Sequence, residues 1–262
     1  MVTDEDIWRF LSRTDEELLS GPVESIHDRI PSPLWPTWLD GDIATRVRDV
    51  HWAVERHYGQ RVRESYGDDV LLDKYLTIAY IRVVDLVLRY EENMGFTLRG
   101  LAFIRRALRP VGYRGAVMDI GCGTGALLAA LASAGYRNLH GIDMSPSSVT
   151  TARKRLGSRI PVVVAEPQDV LQWRGPGCLD AAIMGDVLEH IPPQRVVSFL
   201  MDVRKLVSEG GRLIVSTPHA AVGPHDVTRH YLPMGSDPVG LHLKEYRVPE
   251  VHDLMVEAGF QP

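Results

Sequence analysis

Cysteine is scarce in this chain of 262 residues: only Cys122 and Cys178 occur. One of them interrupts a glycine-rich bend, a poor place for a crosslink, so a disulfide framework is excluded and a reducing compartment is expected. Long apolar runs are missing as well. No stretch reaches the roughly 18 uninterrupted apolar residues of a membrane span, and the acidic opening MVTDEDIWRF lacks the basic and then apolar profile of a secretory leader. Both features point to the cytoplasm. Nor is there a basic block. The formal charge is -5, and dividing the chain at residue 112 leaves both parts mildly acidic. Nucleic acid is therefore disfavoured as a substrate, because neutralising phosphates demands a basic face. The local exception, Arg99, Arg105, Arg106 and Arg109, reads as the decoration of one amphipathic helix. Repeats and low-complexity tracts are also absent.

What is present suffices for a large core, since 45% of the residues are hydrophobic. The pattern divides the chain into a helical extension over 1–96 and a second domain over 97–262. In the first part Thr3 and Asp6 resemble the cap of a helix ending near Gly21, and SPLWPTWLDGD is a proline-rich joint. Leu72, Leu76, Ala79, Val83, Leu86 and Tyr90 recur at three- and four-residue steps, which predicts a helix burying that side. A further helix over about 97–108 should stop at Pro110.

From residue 115 the pattern becomes β-rich runs alternating with helical ones. AVMDI, NLHGID, PVVVA, LDAAIM and GRLIVS predict strands, each followed by a helix-like segment. These segments are ALLAALASAG, SPSSVTTARKRLG, DVLQW, PQRVVSFLMDVRKLVSEG and VPEVHDLMVEAG. Alternation of this kind implies right-handed crossovers and an α/β, Rossmann-like, doubly wound and mostly parallel sheet covered on both faces. Ligands then bind at the carboxyl ends of the strands, where the strand order reverses.

The bend VMDIGCGTG lies at such a strand end. Gly121, Gly123 and Gly125 follow G-x-G-x-G, whereas the dinucleotide fingerprint spaces its glycines G-x-G-x-x-G, and the Gly-Lys-Ser/Thr of a P-loop is missing. Asp119 precedes the glycines, where it would repel a pyrophosphate and welcome a cation. Asp143 ends the second strand, where a carboxylate can accept ribose hydroxyls, and Asp169 follows the third, within reach of an adenine amino group. Together they describe an adenosine with a positively charged tail.

VMDIGCGTG, GIDMSP, QDV, LDAAIMGDVLEHIPP and EGGRLIVSTP, in that order and spacing, resemble the class I S-adenosylmethionine (SAM)-dependent methyltransferases over about residues 97–260. The resemblance implies that Asp119 and the Gly121-Cys122-Gly123 backbone face the methionine part of SAM, Asp143 holds the ribose, and Met144 lies against the adenine. Asp169 and Val170 would edge the base, and Gly185 would pass near the methionine amino group. NMGFTLRGLAFIRRAL, STP and GLHLKEYRVPEVHDLMVEAGF look like the ubiquinone-biosynthesis O-methyltransferases and their secondary-metabolite relatives. That likeness makes Arg99 a binder of the cofactor carboxylate, and it implies a pair of antiparallel strands after Gly259, so that either the sheet closes in another way or the sequence is a shortened form of a longer protein.

DVLEH supports a second expectation. A helix begun at Asp186 places Asp186, Glu189 and His190 on one face, with His242 as a fourth donor, a mixed oxygen and nitrogen set suited to a divalent ion such as Mg or Mn. The small-RNA 2'-O-methyltransferases and the ubiquinone enzymes have a similar arrangement. Without a metal, His190 is the candidate catalytic base and His219 its reserve. His225 and His230 share the latter's loop. The expected function is methyl transfer to a small-molecule acceptor, on oxygen; an RNA 2'-O-methyltransferase and a non-catalytic SAM-binding partner subunit are the alternatives. The first hundred residues are expected to form a lid whose aromatics, Trp35, Trp38, Trp52, Tyr75, Tyr80 and Phe96, offer flat apolar surface; homodimer formation through these helices is the competing role.

Overall fold

The computed structural model describes residues 55–79, 100–230 and 232–261. The chain divides into two compact units, Met1–Gly95 and Phe96–Pro262. In the first, residues 55–64 and 69–79 are helical, joined by a turn in which Gly67 adopts φ +98°. The Asp68 carboxylate caps the second helix by accepting from the Leu71 N–H at 3.0 Å. Leu72, Leu76 and Ala79 are buried, as their spacing predicts. The Thr3 cap, the continuation of that helix past residue 79, Arg99, and Trp35, Trp38, Trp52, Tyr80 and Phe96 lie outside the described residues; Tyr75 is half-buried, with the Arg61 guanidinium 5.3 Å from its ring.

In the second unit five parallel strands, β1 (Ala116–Ile120), β2 (Asn138–Asp143), β3 (Val162–Val164), β4 (Leu179–Gly185) and β5 (Val207–Ser216), form one sheet in the order β3-β2-β1-β4-β5. The helices are α1 (Leu101–Ala107), α2 (Ala126–Ser133), α3 (Pro146–Leu156), α4 (Pro167–Arg174), α5 (Val196–Leu206) and α6 (Val248–Glu257). β1, β3 and β4 are apolar at nearly every position because both faces of the sheet are covered. Val117, Ala181 and Ile183 pack with Leu128 and Leu131 of α2 and Val149 of α3 on one side. Met118, Ala182 and Met184 pack with Leu200 and Val203 of α5 and Met255 of α6 on the other. Even and odd residues of each strand therefore serve different helix layers.

Local chemistry explains the helix limits. The Ser145 hydroxyl accepts from the Ser148 N–H and Pro146 opens α3, while Gly125, at φ +76°, sits just before α2. Among the described residues no helix is long and apolar enough to cross a membrane.

The stretch after β4 departs from expectation. No α-helix begins at Asp186: that residue holds φ +54°, and Leu188–His190 make a single 3-10 turn. A left-handed residue cannot enter an α-helix, and Pro192 and Pro193 keep the turn from propagating. The helix read from PQRVVSFLMDVRKLVSEG is confined to Val196–Leu206, because β5 begins at Val207. Leu179 of β4 pairs with Val207 and Ala181 with Arg212, so β5 carries a bulge between these partners, where Gly210 takes φ +72°.

Candidate active site

The strand order reverses between β1 and β4, and the loops at their carboxyl ends face the same edge of the sheet. After β1 the chain turns through Gly121, Gly123 and Gly125, all at positive φ. The N–H groups of Gly121 and Cys122 both donate to the Ile142 carbonyl, at 2.8 and 3.0 Å, and that of Gly125 to the Cys122 carbonyl. The Gly123 N–H donates to Asp143 Oδ2 at 2.8 Å. Three of these donors tie the turn to β2, that of Gly125 closes the turn on itself, and none is offered to a phosphate, unlike those of a phosphate-binding loop. A Cβ at Gly121 would run into Val187 beyond β4, so the two loops can meet only because that residue is glycine. The Cys122 side chain points into the core, within 3.2 Å of where a Cβ on Gly141 would lie, and burial pushes its thiol up. Only its backbone belongs to the turn.

Two carboxylates stand here. Asp119 is 3% exposed, and burial, reinforced by the charge of Asp143, raises its pKa to about 8. Burial also pushes Asp143 up, although the N–H groups of Ser145 and Gly123 donate to its two oxygens and partly offset this. Among the described residues neither acid has a cationic partner. Such a pair favours a cation beside it. Met144 is exposed just beyond Asp143, and Val170 is buried on α4. Asp169 accepts from the Glu166 N–H at 2.9 Å and so closes the first turn of α4; the cap engages one of its oxygens. Gly185 ends β4 with ordinary space around its Cα.

A second cluster lies beyond β4. Glu189, His190 and His242 each offer a ligand atom within 4.8 Å of the others. Asp186, the fourth member expected from the sequence, is not in that set, because its left-handed backbone replaces the helix that would have aligned it with Glu189. Burial raises its pKa, moderated by the nearby rings of His242 and His225. Glu189 is fully buried: Oε2 accepts from the Thr217 hydroxyl at 2.9 Å, and Oε1 has no hydrogen-bond partner among the described residues. Burial raises its pKa to about 7. The rings of His190 and His242 meet edge to face with centroids 4.9 Å apart. Nδ1 of His190 lies 2.9 Å from the Leu241 carbonyl, and Nδ1 of His242 lies 2.8 Å from Glu245 Oε1.

GLHLKEY, residues 240–246, holds this arrangement together. Besides the Leu241 carbonyl on His190, the N–H groups of Leu243 and Lys244 donate to the Glu189 carbonyl at 2.7 and 3.3 Å. Glu245 also takes the His225 ring at 2.8 Å and the His225 N–H at 2.6 Å. Sequence reasoning missed Glu245 and Thr217. The only signal for Glu245 was its place three residues after His242; Thr217 was read within a family motif and not as a partner. His219 is half-buried, and its Nδ1 accepts from the Ala221 N–H at 3.1 Å, which caps a 3-10 turn. His230 ends the turn Val227–His230.

The donor set fits a divalent cation. Two imidazoles with Nδ1 tied to oxygen keep Nε2 as a ligand atom, and Glu189 brings a buried oxygen that lacks a hydrogen-bond partner among the described residues. The same atoms suit proton transfer from a hydroxyl.

Residues 117–211 match the family model described as a methyltransferase domain. The chain is 29% identical over 173 residues to the ubiquinone biosynthesis O-methyltransferase of Xanthomonas axonopodis pv. citri, covering 62% of this chain and 68% of that protein. It is 31% identical over 156 residues to the enzyme of the same name from Ralstonia nicotianae, covering 56% of this chain and 63% of that one. A SAM-dependent methyltransferase from Archaeoglobus fulgidus shares the fold at a TM-score of 0.52 and 18% identity, over 66% of this chain and 74% of that one. With the glycine turn, the acidic strand ends and the sheet order already in place, these matches identify a class I SAM-dependent methyltransferase domain within this chain, distantly homologous to the ubiquinone biosynthesis O-methyltransferases.

Proposed function

We propose that the protein transfers the methyl group of SAM to an oxygen of a small-molecule acceptor. The observation that carries this reading is the juxtaposition, at the carboxyl ends of β1, β2 and β4, of buried acids lacking a cation and a Glu189–His190–His242 cluster. Asp119 faces the methionine part of SAM, where its charge complements the positive amino and sulfonium groups. Asp143 keeps a lone pair on each oxygen for the ribose after accepting Gly123 and Ser145. Met144 lies against the adenine, Asp169 and Val170 along its edge, and Gly185 near the amino group; for Arg99, outside the described residues, the family resemblance alone supports a role in binding the carboxylate. The names of the curated relatives support oxygen as the nucleophile.

The chemistry asks little of the protein beyond placement. The acceptor oxygen attacks the methyl carbon opposite sulfur; an oxygen–carbon bond forms, the carbon–sulfur bond breaks, and its electron pair returns to sulfur, leaving S-adenosylhomocysteine (SAH). Alignment and exclusion of water are the main contributions. The acceptor's proton passes to His190 Nε2, which carries the lone pair once Nδ1 donates to the Leu241 carbonyl.

A second reading adds a divalent ion such as Mg or Mn at Glu189, His190 and His242, and Glu189 Oε1, without a hydrogen-bond partner among the described residues, favours it. Such an ion, when bound, lowers the pKa of the acceptor hydroxyl. Incubating the full chain with methyl-labelled SAM and a panel of catechols, phenols and hydroxyquinones tests both readings. Product with label on oxygen is expected, and dependence of that label on Mg or Mn after chelation selects the second. Failure to bind SAH by calorimetry would remove the assignment.

A further inference from the structure

We propose that Glu245 is a positioning residue that sets the tautomers of His242 and His225 together, keeping a proton on Nδ1 of each neutral ring and the lone pair on Nε2. The Glu245 side chain is 2% exposed, yet it receives three nitrogen partners: His242 Nδ1 and the His225 N–H on Oε1, and His225 Nδ1 on Oε2. An ionised carboxylate only accepts, so each partner must donate, and a neutral imidazole that donates from Nδ1 carries its lone pair on Nε2. Three nitrogen partners on its two oxygens favour the charged form of this carboxyl.

The backbone is shaped around this carboxylate. A Cβ on Gly223 would overlap Glu245 Oε2 and come within 3.0 Å of His225 Nδ1, so position 223 is open only to glycine while the triad stands. Leu241, one residue before His242, fixes His190 the same way through its carbonyl. Three imidazoles thus share one polarity, and two owe it to one side chain. What such nitrogens recognise is an acceptor hydroxyl or a divalent cation, which ties the inference to the methyl-transfer reading; the tautomers themselves can be measured without any turnover.

The test is a two-bond proton–nitrogen correlation spectrum of the full chain labelled with 15N-histidine, followed from pH 6 to pH 10. The expected result is the Nδ1–H tautomer for His225 and His242 once each is neutral. In Glu245→Gln the amide must donate from one of its two positions, so at least one of the rings should switch to Nε2–H. With an acceptor in hand, kcat should then fall about tenfold or more while the KM for SAM changes less than about twofold. An Nε2–H tautomer for His242 in the wild-type chain, or unchanged tautomers in a folded Glu245→Gln, overturns the proposal. If that variant does not fold, the wild-type spectrum decides by itself. A protein that shows the expected tautomers but transfers no methyl group refutes the functional reading and leaves the positioning role standing.

Discussion

Asp119 shows how a single side chain reports on a ligand. Its folded pKa of about 8 lies above the unfolded value, so the neutral acid is tolerated and the anion is disfavoured. The stability this contributes is complete below about pH 4, the unfolded value, and is lost as pH rises toward about 8. Apo protein should therefore lose thermal stability over that window, and Asp119→Asn should lose less, measured by thermal melts between pH 5 and pH 9. A sulfonium ligand favours the anion, so the preference for SAM over SAH should grow as pH passes 8 and shrink about tenfold in the variant, ~1.4 kcal/mol, by calorimetry. Glu189 makes the complementary case: Glu189→Gln removes a disfavoured buried charge without removing volume. It should melt at or above the wild-type temperature while methyl transfer falls on the order of 100-fold. The two histidines also differ. His219 spends Nδ1 on a cap, so His219→Ala should cost less activity than His190→Ala, whose loss should be on the order of 100-fold. Equal losses in a radiometric assay would argue against His190 as base.

At the scale of elements, glycines decide how closely the pieces approach. Gly125 is held at φ +76° between the turn and α2, and a Cβ there would lie 2.7 Å from Leu156 Cδ1 and 3.2 Å from Ala152 Cβ. Gly125→Ala combines backbone strain with overpacking of α2 on α3 and should destabilise the fold by about 1–3 kcal/mol, read by urea denaturation. The turn Leu188–His190 was readable as chemistry and not as geometry. DVLEH announced its donors, but a helical reading of the spacing put Asp186 among them, and the left-handed backbone at Asp186 removes it. In β5 the GG pair hid a bulge, because a strand pattern counts side chains and cannot register residues that loop out of the ladder.

For the whole molecule, a cofactor that binds only the folded state must raise its melting temperature. SAH at 100 times its dissociation constant should add about 2.7 kcal/mol, a shift of about 5–10 °C for a chain this long. NADH should add nothing, since the turn's donors face β2 or close the turn itself and no pyrophosphate cradle remains. The overall charge of -5 predicts that the chain will not be retained on immobilised RNA at ~0.15 M salt.

The order of strands and helices from residue 115, the two-faced core, the glycine turn and the acids at the strand ends were all legible in the sequence, because each is written in local periodicity and in residue types that carry their chemistry with them. AVMDI and NLHGID match β1 and β2 residue for residue. The contacts of Glu245 with His225 and of Thr217 with Glu189 were not legible. They join loops 20 to 28 residues apart, and hydrogen bonds across such a separation leave no spacing rule in the chain. Tertiary structure alone decided which histidine nitrogens are tied, which carboxylate lost its solvent and which donor left the cluster. Those outcomes depend on the desolvation and direction of groups that meet only when the loops close over the sheet edge.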